Sequence, residues 1–186
     1  MTKPLSIPNL VLIGPMGSGK TSVGKLLADL LRWQFVDVDA QVVQQLHRSI
    51  ADVFAGPGED YFRQVEHRTL CKLAARRRQV ISTGGGIVLR PDNWPVLHEC
   101  GWIVALLAPP QELARRVWWE RDHRPLLRGS HSEEELIMRL EKILEERLVL
   151  YRQANTCLDT AGLLVEDVAT KIYQLPIVQQ LFLEDL

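Results

Sequence analysis

The sequence has little of what marks a secreted, membrane-embedded or nucleic-acid-coating protein. Its three cysteines, Cys71, Cys100 and Cys157, are odd in number, widely spaced and without a C-x-x-C pair. That excludes a disulfide framework or a zinc array and points to a reducing compartment, the cytoplasm. No apolar run approaches the ~20 residues of a membrane-spanning helix. Residues 1–8, with one lysine and two prolines, lack the apolar stretch of a secretory signal. Net charge is −1 and the pI near 6.5, so there is no cationic footprint for nucleic acid or an anionic membrane. The five histidines show no ligand spacing and take no role. Internal repeats, linkers and low-complexity tracts are absent. Lysine is scarce beside arginine, 6 against 16; arginine suits a bidentate grip on phosphate and carboxylate, but genomic base composition produces the same bias and is the blander cause.

What is present is an ordinary globular composition, 46% hydrophobic and 24% charged, over 186 residues, enough for one domain with a substantial core. Within it stands Gly14-Pro15-Met16-Gly17-Ser18-Gly19-Lys20-Thr21, a complete G-x-x-x-x-G-K-[ST] phosphate loop. The apolar run at residues 9–13 precedes it, and Val23, Leu26, Leu27, Leu30 and Leu31 follow at helical spacing. Strand, glycine loop and helix is the context the motif requires. The backbone N–H groups of Gly17, Ser18 and Gly19, with Lys20 and Ser22, are expected to hold phosphates at the positive end of the helix. The Thr21 hydroxyl is expected to hold the accompanying magnesium ion. The motif predicts binding of a nucleoside triphosphate; an ordinary glycine turn is the bland alternative.

Short apolar runs alternate with helical segments, which predicts an α/β fold with a parallel sheet covered by helices on both faces. Strands are expected at residues 9–13, 34–37, 79–83, 102–107 and 156–159. Helices are expected from 40, at 49–54, 60–78 and 91–100, from 109, at 132–151, and a last one at 165–174. The apolar tail after Pro176 is expected to dock on its own domain, a partner being the alternative. Ligands of such sheets sit outside the carboxyl ends of the strands. The phosphate loop, Asp37 with Asp39, and Gly84-Gly85-Gly86 are therefore expected to converge.

Each remaining candidate has a bland alternative. Asp37 and Asp39, at i and i+2, share a side if the strand persists, and phosphoryl transfer needs acidic groups for metal and acceptor; Asp39 as a mere helix cap is the alternative. The three glycines remove side chains where something approaches closely, or they form a flexible turn. Arg63 and Glu66 read, taken alone, as a pair on a solvated face. Arg124 lies in a polar break at 121–132, the natural place for a closing lid. Arg147, among Glu145, Glu146 and Arg152, reads by itself as a surface charge.

In order and spacing, these residues together resemble the shikimate kinase family over roughly Leu10 to Gln174. The markers are the loop at 14–21, Asp37-Val38-Asp39, Ser49-Ile50-Ala51-Asp52-Val53-Phe54, Gly58-Glu59 with Phe62-Arg63 and Glu66, Thr83 with the triple glycine, Arg124-Pro125-Leu126-Leu127, and Arg147 with Leu150-Tyr151. The resemblance implies a three-layer P-loop kinase fold with a central five-stranded parallel sheet, a substrate-binding region at about 40–68 and a lid at about 121–132. It implies a cytoplasmic, monomeric enzyme of aromatic amino-acid biosynthesis that phosphorylates the shikimate 3-hydroxyl with ATP and Mg2+. By position, Thr21 would bind magnesium with Asp37 assisting through water. Asp39 would hold the hydroxyls and act as base, and Arg63 and Arg147 would grip the carboxylate beside Gly84, Gly85 and Gly86. Lys20 and Arg124 would contact the phosphates, and Arg116 the adenine. Two departures stand out: Thr21-Ser22 where Ser-Thr is common, and His47 where glycine is common. The Trp118-Trp119 pair is expected to pack in the core.

Gluconate kinase shares the loop, but the triple glycine and Phe62-Arg63 argue against it. Nucleoside monophosphate kinases would need a base pocket that has no signature here. A nucleotide-dependent regulator without catalysis would need neither Asp39 nor Arg124.

Overall fold

The computed structural model describes residues 9–124 and 126–183. Residues 1–8, read above as carrying no secretory signal, Pro125 of the polar break and the last three residues of the tail lie outside them. Five strands, β1 (Asn9–Ile13), β2 (Gln34–Asp37), β3 (Gln79–Ser82), β4 (Trp102–Leu107) and β5 (Thr156–Asp159), form one sheet in the order β2-β3-β1-β4-β5. Every pairing is parallel, with Leu12 opposite Ser82 and Asp37 also opposite Ser82. The carboxyl ends of β1, β2 and β3 therefore lie side by side.

β1 is buried along its whole length because both sheet faces are covered, as parallel sheets require. Its alternation divides the core. Val11 and Ile13 face a layer that includes α4 (Glu59–Ala74) and α5 (Asn93–Cys100). Leu10 and Leu12 face α1 (Lys20–Leu31) and α8 (Val165–Tyr173). Between these elements run α2 (Val38–Leu46), α3 (Ile50–Ala55), α6 (Pro110–Val117) and α7 (Glu133–Tyr151), the last capped by Ser132 accepting from the Glu135 N–H.

Three expectations change. α4 ends at Ala74 rather than near 78, where Arg78 has φ +60 before β3 begins. α8 is not the last helix, since α9 (Pro176–Leu183) follows and buries Val178 against the α1/α8 layer. Trp118 packs against the α6/α7 cluster as expected, whereas Trp119 is 87% exposed. His47 closes α2 at φ +51, the left-handed position where glycine is the usual occupant, so the departure there falls on a helix end.

Candidate active site

The loop from β1 to α1 curls because Gly17 (φ +79) and Gly19 (φ +92) adopt backbone angles that side chains resist. Lys20 begins α1 and turns back into the loop. Its Nζ donates to the carbonyls of Gly14 (2.9 Å) and Pro15 (2.7 Å) and to Ser18 Oγ (3.4 Å). Burial brings its pKa down to about 8; Asp39 and Asp37 oppose the shift and Arg124 adds to it. The next hydroxyl, Thr21 Oγ1, donates to Asp37 Oδ2 at 3.0 Å.

Asp37, not Asp39, caps α2: its Oδ1 accepts from the Ala40 N–H at 3.1 Å. The strand ends at Asp37, so the first helical turn, rather than strand alternation, carries Asp39 inward. Burial raises the Asp39 pKa and Asp37 adds to it, while Lys20, Arg63 and Arg124 pull it back. Its Oδ1 is buried without a hydrogen-bond partner among the described residues, as are Glu66 Oε1, Arg124 Nε and Arg147 Nε. Unpaired buried polar atoms are costly, and those of Asp39, Arg124 and Arg147, which border two cavities, are placed to meet a polar ligand.

Arg63 and Glu66 do pair, at 2.8 Å, but not on a solvated face: Glu66 is fully buried. Burial lifts the Glu66 pKa to about 7, outweighing the attraction of Arg63. A second carboxylate, Glu59, takes Arg63 Nη2 at 2.9 Å, so the guanidinium is held from two sides. The triple glycine explains itself here. A β-carbon on Gly84 would meet Asp39 Oδ1 at 2.6 Å and Glu66 Oε1 at 2.8 Å, and one on Gly86 would overlap the Arg63 guanidinium. What approaches the glycines is thus the chain's own charged side chains. The turn is held rather than loose, with Ile87 N donating to Gly84 O and Leu89 N to Gly86 O.

Arg147, read above as a surface charge, is only 5% exposed. Its Nη1 donates to Gly85 O at 3.3 Å, and Tyr151, one turn on, donates its hydroxyl to the same carbonyl at 2.6 Å. On the opposite wall, Arg124 pairs with Glu120 at 2.6 Å. Arg116 is tied to Glu112 and to Thr160, whose carbonyl accepts from its Nη2 at 2.7 Å.

Two cavities open between these groups. One, of about 560 Å³, is lined by Gly17, Ser18, Gly19, Lys20, Thr21, Ser22, Asp37 and Arg116, together with apolar Leu163, Leu164 and Val165. The other, of about 360 Å³, is lined by Arg63, Gly84, Gly86 and Arg147 with Ile50, Phe54, Phe62 and Leu126. Met16, Asp39, Gly85, Glu120 and Arg124 line both. Every site residue expected from the sequence therefore borders one cavity or the other. Sequence reasoning missed Glu120 and Thr160, and it quoted Tyr151 and the apolar wall of the smaller cavity (Ile50, Phe54, Phe62 and Leu126) as family markers without giving them a place in the site. That wall comes together only in the fold, from α3 (Ile50, Phe54), α4 (Phe62) and Leu126 of the polar break.

Thr21 and Asp37 supply hard oxygen donors suited to Mg2+, which usually takes one or two protein ligands and completes its shell with water and phosphate. Groups of three or more His, Cys, Asp or Glu side chains that could hold a metal ion do not occur among the described residues.

The family model described as shikimate kinase matches residues 16–175. The shikimate kinase of Thermodesulfovibrio yellowstonii is 42% identical over 164 residues, 88% of this chain and 92% of that protein. That of Geobacter metallireducens is 40% identical over 92% of this chain and 93% of its own. The solved structure of the Acinetobacter baumannii shikimate kinase in complex with shikimate matches with a TM-score of 0.87 at 34% identity, over 95% of this chain and 96% of that one.

Proposed function

The chain belongs to the shikimate kinase family, and on that premise we propose that it transfers the γ-phosphoryl group of ATP to the 3-hydroxyl of shikimate, releasing ADP. The observation that carries this reading is the pair of cavities meeting at Asp39 and Arg124. One is built for a triphosphate. The other offers two arginines, a carboxylate and apolar walls, suited to a compact polyhydroxylated carboxylate.

In this reading Gly17, Ser18, Gly19 and Ser22 cradle the phosphates with Lys20, whose Nζ exchanges loop carbonyls for phosphate oxygens. Arg116 borders the adenine. Mg2+ would be held by Thr21 Oγ1 and, through water, by Asp37, where it supplies neutralisation of phosphate charge. Arg63 and Arg147 grip the substrate carboxylate by charge-assisted bonds, over the floor made by Gly84, Gly85 and Gly86. Asp39 accepts the bond of the attacking hydroxyl and takes its proton as the new P–O bond forms. Burial raises its pKa above that of a free carboxylic acid, which makes it a better proton acceptor, and Lys20, Arg63 and Arg124 oppose that shift. Arg124 stabilises charge on the transferring group. Residues 40–68 would be the substrate-binding region and 121–132 the lid that excludes water, within one domain.

We further propose that the enzyme acts as a cytoplasmic monomer, every residue assigned to the site belonging to the same chain. No helix among the described residues is long and apolar enough to cross a membrane. Proton–phosphorus correlation spectra of the product test the acceptor atom: coupling of phosphorus to the proton on carbon 3 is expected, and coupling to carbon 4 or 5 would refute it.

A further inference from the structure

Further along the helix that carries Arg63 and Glu66 lies a second cluster of reactive side chains, outside both cavities. Cys71 Sγ is 3.7 Å from His67 Nε2, one helical turn earlier on α4. His67 Nδ1 is 2.7 Å from Asn93 Oδ1 on α5. Asn93 is fully buried, and its Nδ2 donates to the Ile87 carbonyl at 2.7 Å. That bond fixes the amide with its oxygen toward His67. An amide oxygen only accepts, so the proton of neutral His67 sits on Nδ1 and Nε2 presents its lone pair to the thiol.

The other cysteines lack this arrangement. Cys157 is also exposed, but its Sγ faces the Tyr151 carbonyl at 3.9 Å, an acceptor that cannot carry off a proton. Cys100 is buried, and burial pushes its thiol up to about 11. Cys71 combines solvent exposure with an oriented base.

From this geometry we infer that Cys71 is a modification site, a nucleophilic thiol served by His67 as base and by Asn93 as positioning residue, that hydroperoxides convert to a sulfenic acid. His67 Nε2 takes the thiol proton, and the thiolate attacks one peroxide oxygen. The S–O bond forms as the O–O bond breaks, sulfur losing two electrons to the peroxide. The leaving hydroxide of hydrogen peroxide, or the alkoxide of an organic hydroperoxide, takes the proton back from His67 and departs as water or an alcohol. Nucleophile, base and orienting group within reach of one another is the general signature of an activated thiol.

The test exposes the full chain to hydrogen peroxide, traps sulfenic acid with dimedone and quantifies each cysteine peptide by mass spectrometry. Cys71 is expected to react about tenfold faster than Cys157, and His67→Gln to bring it within about twofold of Cys157. Equal rates in the unaltered chain, or a lead for Cys71 that survives His67→Gln, would overturn the inference. Labelling of buried Cys100 reports whether the variant is folded. Imidazole 15N spectra of the unaltered chain decide independently of any variant: a proton on Nδ1 of His67 is expected, and a proton on Nε2 of neutral His67 would refute the base assignment.

Discussion

Asp39 Oδ1 lies 2.6 Å from where a β-carbon on residue 84 would stand. The glycine is what lets the carboxylate occupy the boundary between the two cavities. Gly84→Ala must therefore displace Asp39, and a displacement of about 1 Å can cost ~100-fold in rate. A fall of that order in kcat is expected from steady-state kinetics. Gly86→Ala acts on Arg63 instead. Because the displaced guanidinium leaves buried Glu66 without its partner, the melting temperature should fall, and KM for shikimate should rise about tenfold, the equivalent of one charge-assisted hydrogen bond. An unchanged KM for shikimate in Gly86→Ala would count against Arg63 as the carboxylate clamp.

Asp39→Asn keeps the shape and removes the base. We expect kcat to fall about 100-fold, the lower range for a general base, because phosphoryl transfer leans mainly on positioning and charge. ATP affinity, read by nucleotide titration, should change by less than about threefold, since Asp39 would touch the acceptor and not the phosphates. Turnover near that of the unaltered enzyme would show that Asp39 only orients the hydroxyl.

How much of this was legible beforehand varies residue by residue. The phosphate loop was, because its signal is local: strand, glycines and helix are contiguous. Arg147 was not, because its burial depends on α7 packing against Gly85, 62 residues away in the chain. Glu66 looked solvated for the same reason, since an i,i+3 spacing reveals the pair but not the sheet end that covers it. The capping role went to Asp37 because α2 begins at Val38, two residues before the start expected at 40, although the strand end at Asp37 was read correctly. The helix at the tail went unread because Pro176 looks like a stop, although proline is well tolerated as a first helical residue.

The pH dependence follows from Lys20. Its folded pKa is lowered to about 8 by burial, so the cationic form is present below that pH and lost as pH rises through it. In kcat/KM for ATP, which reports the free enzyme, activity should therefore decline above about pH 8, by up to ~10-fold per unit. Asp39 raises the Lys20 pKa, so Asp39→Asn should move this limb to lower pH. A profile flat to pH 9.5 would contradict the assignment of Lys20 as a buried phosphate ligand.

Val178 is the buried anchor of α9, 1% exposed against the layer that includes Leu27 and Ile172. Val178→Ala is expected to cost about 1–2 kcal/mol, the loss of two buried methyl groups with a small cavity. For a chain of this length that corresponds to a melting-temperature drop of roughly 2–8 °C by calorimetry. Kinetic constants should hold, because Val178 borders neither cavity. An unchanged melting temperature would indicate that α9 does not dock on its own chain in solution.

The measurement that bears most directly on the account is ADP release by the purified protein with Mg2+ and ATP, comparing shikimate, gluconate and a nucleoside monophosphate as acceptors. Release that depends on shikimate and saturates with it is expected, with background rates for the other two. Release indifferent to shikimate at millimolar concentration, or driven instead by gluconate or a nucleotide, would contradict the proposed function.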